Sequence, residues 1–263
     1  MNKALTDIGV NLTSHCFKSH EQEVIARARN AGVDRFVLIG SDIPDSRDAI
    51  NLAKENTGCY ATAGIHPHQA KTFNNKSLDE IRQLAQQPEV KAIGETGLDF
   101  NRNYSPQEQQ LTCFEAQLQL AGELQLPVYL HQRDAHQPFY ERIKALRSHL
   151  CNAVIHCFTG DQKELEAYLE LDMHIGITGW ICDERRGLHL RELIRLIPAD
   201  RLMLETDAPY LIPRTLKPRP KSRNNEPCYL PHILSVVSES LGKEEAEVAA
   251  QTRTNAARFF GIN

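Results

Sequence analysis

Several apolar runs in this sequence end on a side chain that can hold a proton or a cation. Glu95 follows Val90-Lys91-Ala92-Ile93-Gly94, His131 follows Pro127-Val128-Tyr129-Leu130, and His156 follows Asn152-Ala153-Val154-Ile155. Asp207 follows Leu202-Met203-Leu204-Glu205-Thr206, and His66 and His68 follow Ala61-Thr62-Ala63-Gly64-Ile65. A charge or an imidazole at the end of a buried strand adds little to packing and costs desolvation, so its repetition points to chemistry. Two imidazoles and a carboxylate can hold a divalent cation and leave positions open for water and substrate, which makes Glu95, His131 and His156 the candidate ligands. Water on such a cation becomes a usable hydroxide near neutral pH, with Glu95 thereby part of the catalytic apparatus. Asp207 would orient that water or take its proton. Each histidine taken alone fits a hydrogen-bonded core residue equally well; the three together at strand ends favour the cation.

Other residues carry weaker signals. His66-Pro67-His68 has metal spacing, yet the proline suggests a turn, and contact with a substrate phosphate fits better than ligation. Arg133, two residues beyond His131, could clamp a phosphate with its guanidinium fork or pair with an acid at a helix start, where Asp134 could be the N-cap. Glu205 lies two residues before Asp207 and points to the same side of its strand, a position for contacting substrate or for supporting the metal ligands. Trp180, the sole tryptophan, could stack on a base or pack under a loop, and Phe158 carries the same ambiguity. Residues 208–225 contain Arg214, Lys217, Arg219, Lys221 and Arg223 but no acid, a local positive field that would attract phosphates.

These side chains need eight strands to position them. The candidates are Leu5–Val10, Arg35–Gly40, Tyr60–Ile65, Val90–Gly94, Val128–His131, Ala153–His156, His174–Thr178 and Leu202–Glu205, several rich in Val and Ile as doubly covered parallel strands are. Helical stretches lie between them. Ser105-Pro106-Gln107-Glu108 reads as a capping box with proline at the first helical position, and Asp161-Gln162-Lys163-Glu164 as a second cap. Gly32 and Gly58 fall where helices should end. Eight βα units over 263 residues predict an α/β fold, a (βα)8 TIM barrel of the metal-dependent hydrolase type occupying 1–263 as one domain, with a doubly wound sheet as the competitor. Residues 208–225 are too long for an ordinary connection.

Composition narrows the class. At 41% hydrophobic and 24% charged residues the balance is that of a soluble globular protein. No apolar run reaches the roughly 20 residues that span a bilayer, so no membrane partner is expected. The N-terminal Met1–Val10 lacks a signal-peptide core, and seven scattered cysteines without a Cys-x-x-Cys fit reduced thiols, so a cytoplasmic location is expected. A net charge of −4 argues against a broad electrostatic grip on nucleic acid, leaving local contact.

The segments at 7–13 (DIGVNLT), 63–68 (AGIHPH), 93–103 (IGETGLDFNRN), 126–135 (LPVYLHQRDA), 155–160 (IHCFTG), 175–188 (IGITGWICDERRGL), 204–211 (LETDAPYL) and 225–227 (NEP) resemble the TatD family of metal-dependent deoxyribonucleases, in family order along almost the whole chain. The resemblance implies a barrel related to the amidohydrolases and a cytoplasmic, magnesium-dependent 3′-to-5′ exonuclease on single-stranded DNA and RNA, with roles in repair of oxidative DNA damage and in RNA degradation. By position, it implies Glu95, His131 and His156 as metal ligands, Asp207 as the catalytic aspartate, and His66 and Arg133 as phosphate contacts. Most family members carry His-x-His at the end of the first strand, where this chain has Gly9 and Asn11. One tightly held metal is therefore expected, a second being transient or substrate-assisted. The imidazoles favour zinc or manganese on purification, while the resemblance implies magnesium for turnover. The chain is expected to act as a monomer. The competing readings are an amidohydrolase-like enzyme acting on a small amide or ester, and a barrel that binds nucleic acid without catalysis.

Overall fold

The Val- and Ile-rich runs form the expected strands, each followed by helix. In the computed structural model, which describes residues 4–262, the strands are β1 (Leu5–Val10), β2 (Val33–Leu38), β3 (Cys59–Ala63), β4 (Val90–Asp99), β5 (Val128–Arg133), β6 (Ala153–Ile155), β7 (His174–Ile177) and β8 (Leu202–Leu204). The principal helices are α1 (Glu21–Asn30), α2 (Ile43–Glu55), α3 (Asn75–Leu84), α4 (Gln107–Leu124), α5 (His136–Leu146), α6 (Gln162–Glu170), α7 (Leu188–Leu193), α8 (Leu230–Leu241) and α9 (Glu245–Phe260). Hydrogen-bonded neighbours follow chain order from β1 to β8 in one eight-stranded sheet. Val10 forms a parallel bridge with Ala208, just beyond β8. An order without a switch point is that of the (βα)8 TIM barrel and not of a doubly wound sheet.

The chain divides into two compact units: Leu38–His156 with Glu166–His174, and the flanking residues up to Val37 with Cys157–Leu165 and the chain from Ile175 onward. In the first, Phe114 and Phe139 stack at 5.3 Å between ring centres, with Tyr168 edge-on to Phe139. In the second, α9 packs on β1 and β8, burying Val248, Phe259 and Phe260.

Some local expectations change. Strand β4 runs five residues beyond Gly94, pairing Thr96 with Leu130 and Asp99 with Arg133. Its register against β5 shifts between Ile93 and Thr96, a bulge that places Glu95 on the extra stretch of chain and re-aims its side chain. The capping box at Ser105 does not form. The N-cap of α4 is Pro106, which has no side-chain cap, and the Ser105 hydroxyl instead donates to the His68 carbonyl at 2.8 Å. Asp161 does cap α6, accepting from the Glu164 amide at 3.0 Å. Gly32, at φ +93°, ends the turn after α1.

Two glutamines buried on α4 fix the ends of the strands that carry the histidines and acids. Gln117 accepts from the Ile65 amide at 2.8 Å and donates to the Ile65 carbonyl at 3.0 Å, clamping the residue before His66. Gln110 does the same for Asp99, at 2.8 and 3.1 Å. A primary amide that satisfies both main-chain groups of one residue compensates its own burial. In the other unit, the buried Asp7 on β1 accepts from the Thr206 amide at 2.9 Å, the Thr206 hydroxyl at 2.5 Å and the Gly9 amide at 3.2 Å. It ties β1 to the residue before Asp207.

Two predictions follow from this packing. Gly97 sits at φ +147°, and a Cβ there would lie 1.9 Å from the His131 carbonyl oxygen. Gly97→Ala is expected to cost about 3 kcal/mol or more, measured by urea denaturation; a change below about 1 kcal/mol would contradict the close approach of β4 and β5. Burial, aided by the charge of Glu205, pushes the Asp7 carboxyl up to about 8 against its hydrogen bonds from Thr206 and Gly9. A carboxyl raised on folding stabilises fully below its ordinary value and loses that contribution as pH rises through the folded one, by at most about 1.4 kcal/mol per pH unit. Unfolding midpoints of the unaltered protein should therefore fall relative to Asp7→Asn as pH rises from 3.8 to about 8; parallel curves would contradict the shift.

Candidate metal centre and catalytic side chains

Three imidazoles converge on one carboxylate oxygen. Glu95 Oε1 lies 2.9 Å from His131 Nδ1, 3.1 Å from His156 Nε2 and 3.4 Å from His66 Nε2. Ligand atoms of His66, Glu95 and His131 all fall within 4.8 Å of one another. The side chains come from the ends of β3, β4, β5 and β6, which no local stretch of chain could bring together. Burial opposes the ionisation of Glu95, yet its imidazole neighbours outweigh it and hold the carboxyl well below its usual range. Burial likewise opposes protonation of His131, but Asp99 and Glu95 reverse the balance and raise its pKa.

The donor set fits a divalent cation. His131 Nε2 is buried, makes no hydrogen bond and lies 3.5 Å from Asp99 Oδ2. With Nδ1 directed at Glu95, the Nε2 lone pair of a neutral ring would face a carboxylate oxygen, an arrangement that needs a proton or a cation nearby. Glu95, His131 and His156 supply the mixed oxygen and nitrogen donors that zinc, manganese or magnesium accept to differing degrees.

His66 has a different chemistry. Its Nδ1 accepts from the His68 amide at 3.0 Å. A neutral ring held that way carries its proton on Nε2, so it presents a donor and not a lone pair. Burial pushes its pKa down to about 4, which keeps the ring neutral near pH 7. The geometry thus suits contact with an anion better than ligation, despite the proximity to Glu95. His68 Nε2 lies 2.7 Å from Asp99 Oδ2. Asp99 is 1% exposed; burial opposes its ionisation, but His131, His68 and the Arg102 amide hold its carboxyl well below the ordinary range.

Arg133 ends β5 and is exposed, with no side-chain hydrogen bond or ion pair among the described residues. The salt bridge considered for it does not form. Asp134 is not a helix cap either: Ala135 is the N-cap of α5, and Asp134 accepts from Asn101 at 2.6 Å. Asp207 receives the Asn11 amide on Oδ1 at 3.2 Å, and Asn11 also donates to the Ala208 carbonyl at 3.3 Å. Both partners are acceptors, so the Asn11 NH2 faces them and holds the carboxylate in orientation. Asn11, the second of the two positions noted at the end of the first strand, thus serves Asp207. Glu205 is fully buried and accepts from the Cys157 amide at 2.5 Å, bracing the residue after His156. Asp134, Cys157 and Asp207, each at or just beyond the end of a strand run, have φ of +52°, +46° and +55°. These left-handed exits turn the chain sharply where the functional side chains stand.

The two aromatic candidates for stacking on a base differ in exposure. Phe158 is 3% exposed, so it packs and cannot stack on a base. One face of the Trp180 ring is covered by the Arg186 guanidinium, 4.2 Å from its centre. The sequence reading missed Asp99, Gln110 and Gln117, and it noted Asn11 without its contact to Asp207. The signal for Asp99 was an acid four residues after Glu95, on the same side of an extended strand. It also missed Tyr104, 56% exposed and edge-on to His68 at 4.8 Å.

The model of the family described as TatD related DNase matches residues 6–261. A protein named 3′-5′ ssDNA/RNA exonuclease TatD from Klebsiella pneumoniae (strain 342) is 53% identical over 257 residues, covering 98% of each chain. A protein of the same name from Shigella flexneri serotype 5b is 50% identical over 256 residues, covering 97% of this chain and 98% of that one. Among solved structures, a TatD homologue from Escherichia coli K12 superposes with a TM-score of 0.91 at 26% identity over the full length of both chains. A TatD family hydrolase from Entamoeba histolytica gives 0.88 at 25%, also over both full chains. The chain belongs to the TatD related DNase family of hydrolytic enzymes.

Proposed function

We propose that this protein is a metal-dependent exonuclease that removes nucleotides from the 3′ end of single-stranded DNA and RNA, working as one catalytic domain and as a monomer. The observation that carries the reading is the convergence of His66, His131 and His156 on the ionised Glu95. The direction and the single-strand preference come from the names of the relatives at about half identity.

Glu95, His131 and His156 would hold one divalent cation, magnesium during turnover and zinc or manganese on purification. When bound, the cation supplies Lewis-acid polarisation and lowers the pKa of a water. The chain's own residues do the rest. His66, neutral with its proton on Nε2, donates to a non-bridging phosphate oxygen. Arg133, exposed and unpaired among the described residues, neutralises the same phosphate with its fork of donors. Asp207, with Oδ1 held by Asn11, takes the proton of the attacking water on Oδ2. Glu205, through the Cys157 amide, braces the chain beside His156 and the substrate. Asp99 steadies the His131 ring.

Its cellular work would be trimming of single-stranded ends in repair of oxidative DNA damage and in RNA degradation, in the cytoplasm. No helix of the described residues is long and apolar enough to cross a membrane.

Digestion of 5′- and 3′-labelled single strands with a series of metals tests the reading. Shortening from the 3′ end that stops with a chelator is expected; intact strands in every metal would refute it. Asp207→Asn should lower turnover by about 10²–10⁴-fold with unfolding unchanged; near-normal turnover would remove Asp207 from this role.

A further inference from the structure

The unit that carries Asp207 has a second concave surface with its own chemistry. A cavity of about 600 Å³ is lined by Trp180 and by the cations Arg186, Arg214, Arg219, Lys221 and Arg223, together with Arg185. Asp183 is the sole acid in its wall. The protein as a whole has net charge −4, so this concentration of positive charge runs against its average.

The arginines are placed, not scattered. The Asp183 side chain is only 4% exposed and lies 3.3 Å from Arg185 Nε, 3.0 Å from Arg186 Nη2 and 3.6 Å from Arg214 Nε. One buried carboxylate therefore holds three guanidiniums at the wall and neutralises about one of their charges. The Arg186 guanidinium carbon also sits over Trp180, 4.2 Å from the ring centre, as a cation–aromatic pair, and a guanidinium can stack on a nucleic-acid base. Arg219, Lys221 and Arg223 have no ion pair among the described residues, although Asp183 and Glu184 already serve Arg214 nearby. Pro218 and Pro220 interrupt this stretch and exclude a helix there. Three uncompensated cations beside a stacking pair match a chain of phosphates with attached bases better than they match a single small anion.

We propose that this cavity is a backbone subsite that grips phosphates of the single strand other than the one being hydrolysed. The proposal rests on the nuclease reading and deepens it. The subsite raises affinity for longer strands and does not select sequence, because its contacts are to phosphates and to a stacking face that any base can use.

The test is binding of a labelled single strand of about twenty nucleotides, followed by fluorescence anisotropy in chelator so that no cleavage occurs, over a salt series. The triple variant Arg219→Ala, Lys221→Ala, Arg223→Ala should bind at least about tenfold more weakly, and the slope of log affinity against log salt should shrink by about 2, three phosphate contacts at roughly 0.7 each. The double variant Arg219→Lys, Arg223→Lys keeps the charges and should restore most of the slope. Circular-dichroism melting confirms that each variant is folded; a triple variant that fails to fold is replaced by the single Lys221→Glu, expected to lower the slope in the same direction. Unchanged affinity and slope would overturn the subsite. Cleavage of the same strand by the unaltered protein with manganese is measured in parallel. Cleavage with an unchanged slope in the variant sinks the subsite alone, whereas absence of both cleavage and binding sinks the nuclease reading and the subsite with it.

Discussion

The structure turns on a buried carboxylate. Glu95 keeps its charge in the interior because imidazole nitrogens of His131, His156 and His66 surround one of its oxygens. An isolated carboxylate so deep in protein would take up a proton instead. The cluster is in turn a poor device for stability, since taking so many polar groups out of water offsets much of their mutual attraction. Such a cluster makes sense as a cation cradle, and His131 Nε2, buried without a hydrogen bond beside Asp99, strengthens that interpretation.

Holding these groups requires backbone that departs from regular strand. The bulge in β4 re-aims Glu95, and Gly97 allows β4 to approach the His131 carbonyl more closely than any side chain would permit. Gln117 and Gln110 secure the chain at Ile65 and Asp99 from behind, through main-chain groups. In the other unit, Asp7 anchors Thr206 while Asn11 turns the neighbouring Asp207 carboxylate. The division of labour is consistent: strand-end side chains face chemistry, and buried amides and carboxyls from adjacent elements fix their backbones.

Much of this was legible in the sequence. The alternation of Val- and Ile-rich runs with helical stretches yielded the eight strands and the fold class, since doubly covered parallel strands have a distinctive composition. Acids and histidines ending those runs led to Glu95, His131, His156 and Asp207 as candidates. What stayed hidden depended on tertiary hydrogen bonding. Polar periodicity gives no hint that Gln110 and Gln117 face inward, and Ser105 looks like a cap until the His68 carbonyl claims its hydroxyl. The extension of β4 to Asp99 was obscured by its glycines, which usually end strands but here make room for β5. The loss of His-x-His at Gly9 and Asn11 was readable; that Asn11 would instead orient Asp207 required the fold.

The most direct test of the central claim is anomalous diffraction from crystals of the protein soaked in manganese. The account predicts one strong peak bonded to the side chains of Glu95, His131 and His156. A peak elsewhere, such as between His68 and Asp99 alone, or no peak at saturating metal, would contradict it.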